Sequence, residues 1–206
     1  METSNPRKAG ALIINNISMF NEAAILVEEH ITGNIFEKFL EIINQWIIKN
    51  RWSGETEWME TENTWASPED WFIISEGEKI KIAEFRLDFE KKERNSYDIA
   101  NLCECGDSRI GFYFSKGKKK KKKYFNSKIK NISEKDIKLL SFNNSGEKYN
   151  GLFLPISLNN KDLAADYEND DFEESMKPLH SALEILLKAK NIFDPIVKEL
   201  IKSVNQ

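Results

Sequence analysis

The order of apolar patterns along the chain predicts an α+β fold, with an antiparallel sheet of about four to six strands flanked by N-terminal and C-terminal helices. Three observations carry this expectation. Apolar residues recur at helical spacing over 11–50, short or alternating apolar runs occupy 71–156, and helix-spaced leucines return over 172–204. Helices, then strands, then helices is the order of an α+β chain, whereas a parallel α/β sheet alternates the two. A length of 206 residues is enough for a single α+β domain, 1–206, with a sizeable core.

In the first helical stretch Ile17, Phe20, Ala24 and Val27 share a face. Thr32-Gly33 is expected to interrupt it. Asn34, with Glu37 three residues on, has the capping-box pattern for a fresh start. Phe36, Phe39, Leu40, Ile43 and Ile47 then form one stripe, which needs a partner surface to cover it. In the middle, Trp71-Phe72-Ile73-Ile74 reads as a strand and Glu76-Gly77 as a turn. Residues 79–90 follow as a second strand, its alternation shifting near Ala83-Glu84 as at a bulge. Asn95 to Ser108 reads as a polar loop, Ile110 to Phe114 as a strand, Ser133 to Leu140 as a short helix and Gly151 to Ile156 as a last strand. An acidic stretch (162–174) precedes Met176, Leu179, Leu183, Leu186 and Leu187, which share a helical face. Asp194-Pro195 predicts a second start there, with Asp as N-cap and Pro at the first helical position.

Charge is unevenly distributed. The net charge is −4, yet residues 111–150 hold 12 Lys against 3 Asp/Glu, a balance of +9 that leaves −13 for the rest. Lys116 and Lys118, Lys119, Lys120, Lys121, Lys122 and Lys123 fill seven of eight positions, and Tyr124 follows. Seven ammonium groups cannot be buried together without matching anions, so 116–123 is expected to be an exposed loop. Lysines beside aromatics suit a single-stranded nucleic acid, with cations on phosphates and rings on bases. A solvated connecting loop, or lysines docked on the acidic stretch, explains the same block without any ligand. Five tryptophans, Trp46, Trp52, Trp58, Trp65 and Trp71, fall within 26 residues among many acids. Most are expected in the core. Trp58 and Trp65, in the most polar part, are candidates for an exposed protein interface.

Pro68-Glu69-Asp70 followed by Glu90-Lys91-Lys92 is similar to the motif of the PD-(D/E)XK nucleases. The resemblance implies that Asp70 and Glu90 hold Mg²⁺ and that Lys92 positions the attacking water. The motif departs from the family in its inserted Glu69 and in the polar segment that follows Lys92. Cys103-Glu104-Cys105 lacks the spacing of a zinc knuckle, and no glycine-rich phosphate loop is present. No metal or cofactor is therefore expected. No run of about 18 apolar residues occurs, so a membrane partner is not expected either. Two cysteines are too few for a disulfide framework and suggest a reducing, cytoplasmic setting. The composition thus points to a non-enzymatic soluble interaction protein, a regulator or inhibitor of another macromolecule, and is compatible with a microbial or mobile-element origin. A nucleic-acid binder and a divergent metal-dependent nuclease are the alternatives.

Overall fold

The computed structural model describes residues 6–91, 95–117, 129, 132, 134–143 and 151–203. The fold is α+β, as the pattern order predicts. Its principal sheet contains β1 (Trp52–Glu57), β2 (Asn63–Pro68), β5 (Ala83–Phe89), β6 (Ile110–Lys116) and β7 (Phe153–Ile156), antiparallel throughout, in the order β1-β2-β5-β6-β7. A separate hairpin pairs β3 (Phe72–Ser75) with β4 (Glu78–Lys81). Its turn places both Glu76 (φ 54°) and Gly77 (φ 80°) in the left-handed region, the geometry that matches strand twist in a two-residue hairpin.

Two helices, Thr32–Lys49 and Lys177–Lys202, cover one face of the sheet. The N-terminal helices are α1 (Pro6–Asn15), α2 (Ile17–Leu26) and α3 (Thr32–Lys49), with a π-helical turn, Val27–Ile31, joining the last two. Short helices follow: α4 (Trp58–Thr61), α5 (Asp98–Leu102) and α6 (Glu134–Leu139). The chain ends in α7 (Asn160–Asn169) and α8 (Lys177–Lys202). Strand alternation sends Phe85, Leu87 and Phe89 of β5, Phe112 and Phe114 of β6, and Leu154 and Ile156 of β7 toward the helices, all buried. The α3 stripe (Ile35, Phe36, Phe39, Ile43, Trp46, Ile47) and the α8 stripe (Leu179, Leu183, Leu186, Phe193, Val197, Leu200) close over them in one core. Phe193 stacks on Phe114 with ring centroids 3.9 Å apart. Leu183 is fully buried, so Leu183→Ala should lower unfolding free energy by about 2–5 kcal/mol, read as a shifted denaturant midpoint at unchanged slope.

Several boundaries differ from the sequence expectation. The first helical break falls at Asn15-Asn16, not at Thr32-Gly33. Asn16 leaves helical geometry (φ −124°, ψ 31°) and its Nδ2 donates to the Leu12 carbonyl. The π-turn carries the chain through Thr32 and Gly33 without a break, so Asn34 is not an N-cap. The shift at Ala83 marks the end of one strand and the start of another. Ile82 donates to the Trp71 carbonyl and accepts from Gly117, handing the chain from the hairpin to the main sheet. The loop 95–108 contains α5, and the acidic stretch opens as α7, capped by the Asn159 side chain on the Lys161 and Asp162 amides. Helix α8 runs through Pro195 without a restart. Asp194 does not cap a helix; it accepts from the Trp71 indole at 2.7 Å and pairs with Lys190.

Candidate functional site

Two surfaces stand out among the described residues. The first lies on the sheet face turned away from the helices. Outward positions there carry Glu55, Asn63, Trp65, Glu84, Arg86 and Ser115, which the register brings side by side: Glu55 opposite Trp65, Trp65 opposite Arg86, Glu84 opposite Ser115. The β3–β4 hairpin folds over this patch and leaves a cleft of about 360 Å³ whose apolar walls are Trp65, Phe72 and Ile80. Lys79 anchors the hairpin by donating to Glu69 at 2.6 Å and to Ser53 at 3.1 Å. Ser53 Oγ also donates to Glu69 at 2.5 Å, and the bonds to Glu69, from Lys79 first and Ser53 second, hold its carboxyl below its ordinary range.

At the centre Glu84 is almost fully buried. One of its oxygens accepts from Arg86 Nε at 2.8 Å and Ser115 Oγ at 3.1 Å, and the other is ion-paired with Lys81. Arg86 donates onward to Asn63 Oδ1 at 2.9 Å, Asn63 to Glu55, and Trp65 Nε1 to the same Glu55 oxygen at 2.9 Å. The Lys81 ammonium sits 2.8 Å from the centroid of the Trp65 ring. Burial pushes the Lys81 pKa down, and the Glu84 charge only partly restores it. Lys79, Lys81 and Arg86 each have an acidic, amide or aromatic partner, so the patch can hold the hairpin against the sheet in one register.

The second surface is the N-terminal pair of helices. Neither α1 nor α2 has a buried residue. Leu12, Ile13, Ile14, Ile17, Met19, Phe20, Ile25 and Leu26 are 40% to 71% exposed. Helix α2 continues the axis of α3 beyond the core, and α1 turns off that line by 83°. Glu22 is the one charged residue between Ala9 and Val27, and the eight large apolar residues of these helices are all exposed. An exposed apolar patch of that extent is normally covered by protein or lipid. No single helix among the described residues is long and apolar enough to cross a membrane.

The residues singled out from the sequence fall as follows. Trp58 is not on the surface: it packs between Phe36 and Phe89, and its indole donates to Asp98 at 3.3 Å. Trp65 is 9% exposed, with its ring occupied by Lys81. Both are covered because α4 turns Trp58 under α3 and the hairpin closes over β2. Lys116, at the end of β6, is half-buried and donates to the Gly117 carbonyl at 3.4 Å. Lys118 to Lys123, Tyr124 and Lys92 lie outside the described residues. The nuclease pairing is not assembled. Asp70 sits beside Trp71 at the start of β5 and pairs with Lys190, while Glu90 follows the end of β5 and makes a two-pronged pair with Arg109. The two carboxylates thus serve different cations, next to opposite ends of the seven-residue strand β5. Among the described residues no group of three or more His, Cys, Asp or Glu side chains could hold a metal.

Comparison with family models, with curated proteins and with solved structures yields no match.

Proposed function

We propose that this chain is a non-enzymatic interaction protein, a regulator or inhibitor of another macromolecule, and that α1–α2 is a protein-contact surface of it. The observation that supports the reading is the unburied apolar character of both helices. Scattered surface leucines are ordinary, but eight large apolar side chains on two consecutive short helices form a patch of the kind that marks an interaction site. Alternating large apolar anchors on a projecting helix also match the way helical segments engage partner grooves. The charged cleft, by contrast, is internally paired and serves the fold. A reducing, cytoplasmic setting belongs to the same proposal and fits the free Cys103 and Cys105.

The test is a paired affinity capture with the full chain and its Ile17→Asp/Phe20→Asp variant. Both positions lie in the first turn of α2, where an added carboxylate suits the helix dipole, so the variant should keep the parent's circular dichroism and melting temperature. A protein, whether another polypeptide or a second copy of this chain, recovered by the parent and absent from the variant is the expected result. Identical recoveries from both would remove α1–α2 as a protein-contact surface, and turnover of a substrate by the purified chain would overturn the non-enzymatic reading.

A further inference from the structure

Resting on that reading of α1–α2 as an interaction surface, we infer that the surface is occupied by a second copy of this chain, with α1 of each copy lying antiparallel along α2 of the other. Three features of the arm favour a copy of itself. The first is matched length: α1 and α2 are 10 residues each, so a two-fold axis can lay one along the other with no overhang. The second is charge. The start of α1 carries Arg7 and Lys8, and the turn after α2 carries Glu28 and Glu29. Antiparallel pairing brings the basic end of one arm to the acidic end of the other, and two-fold symmetry makes that contact twice.

The third feature is area. With a fully exposed large apolar residue taken as about 200 Å², the eight exposures come to about 850 Å², close to the ~800 Å² that each partner of a standard interface contributes. The 83° bend at Asn15-Asn16 gives the arm two limbs. In a two-fold arrangement each limb of one copy faces the unlike limb of the other, enclosing the apolar side chains between them. An unrelated partner would need its own matching pattern of charge and length; a second copy supplies it by symmetry.

Sedimentation equilibrium of the purified full chain should give a species at twice the 24.0 kDa chain mass at micromolar concentration. Ile17→Asp/Phe20→Asp should return it to the monomer. Lys8→Glu should weaken the dimer about 5- to 10-fold, and so should Glu28→Lys, while the two together should restore it, as expected for paired charges at a symmetric rim. A monomer at tens of micromolar overturns the inference, as does a dimer that ignores the α2 aspartates. A monomer whose Ile17 and Phe20 still capture another protein overturns the second copy but leaves the interaction reading intact. A monomer that captures nothing overturns both. Flotation of the parent, but not the aspartate variant, with phosphatidylcholine–phosphatidylglycerol vesicles would assign the arm to lipid and overturn the second copy.

Discussion

Replacing Trp71 by alanine should destabilise the protein by about 3–5 kcal/mol, measured by equilibrium unfolding in urea. Trp71 is almost fully buried at the point where the hairpin meets the main sheet. Its ring packs on Phe85 at 5.3 Å and edge-on to Phe114 at 5.6 Å, the two residues that also receive Phe193 of α8. The truncation would therefore leave a cavity at the junction of β5, β6 and α8. It would also strip Asp194 of the indole that binds it, leaving the carboxylate to Lys190. Trp71→Phe separates these contributions. It keeps most of the packing and loses the hydrogen bond to a charged acceptor, so it should cost about 1.5–3 kcal/mol. A Trp71→Phe variant as unstable as Trp71→Ala would show that the bond to Asp194, and not ring packing, holds the hairpin in place.

The parts of the fold legible in the sequence are those whose periodicity is strong and whose burial is one-sided. The α3 stripe, the Glu76-Gly77 hairpin and the α8 stripe needed only local pattern and turn chemistry. Strands β1 and β2 escaped because their helix-facing positions are Trp52, Gly54, Thr56, Thr64 and Ala66, mostly small or polar, while the bulky Trp65 faces the other way. Gly54 has a physical reason: a Cβ there would meet the Ile47 side chain at 2.5 Å and the Trp65 carbonyl at 2.6 Å, so α3 approaches the sheet only over a bare backbone. Helix α7 offered a single buried apolar residue, Leu163, and so no stripe to read.

The surfaces were harder to read than the fold. The spacing of Ile17, Phe20, Ala24 and Val27 correctly gave a helix, but spacing cannot say whether anything covers it. That depends on where α3 docks and how far α2 overshoots the core. The polar network was invisible for a different reason. Its members, Glu55, Asn63, Trp65, Lys81, Glu84 and Arg86, come from four strands, and only the pairing register makes them neighbours. The lysine block is contiguous in the sequence, and because Lys118 to Lys123 lie outside the described residues its reading rests on the sequence alone.

That network carries the second large effect. Glu84→Ala should cost about 3–5 kcal/mol, because it strands two cations, Lys81 and Arg86, beside one another in a desolvated cleft. The loss is expected to come from the stranded charges and not from the carboxylate's own attraction, which its burial largely offsets. A second substitution distinguishes the two. In a Lys81→Met background the same Glu84→Ala change should cost markedly less, since one of the two stranded charges is gone. Equal costs in both backgrounds would assign the effect to packing around Ser115 and Arg86. The pH dependence adds an independent check. Burial, opposed by Glu84, already holds the folded pKa of Lys81 below its ordinary 10.5, so between those two values the unfolded chain binds more protons and stability rises with pH. Removing Glu84 removes the opposition, lowers the folded pKa further and widens that window downward. Stability of Glu84→Ala should therefore recover as pH is raised toward the lysine range, relative to the parent, and the recovery should vanish when Lys81 is methionine. A recovery that persists without Lys81 would place the titrating group elsewhere and would refute Glu84 as the counter-charge that keeps Lys81 protonated in the cleft.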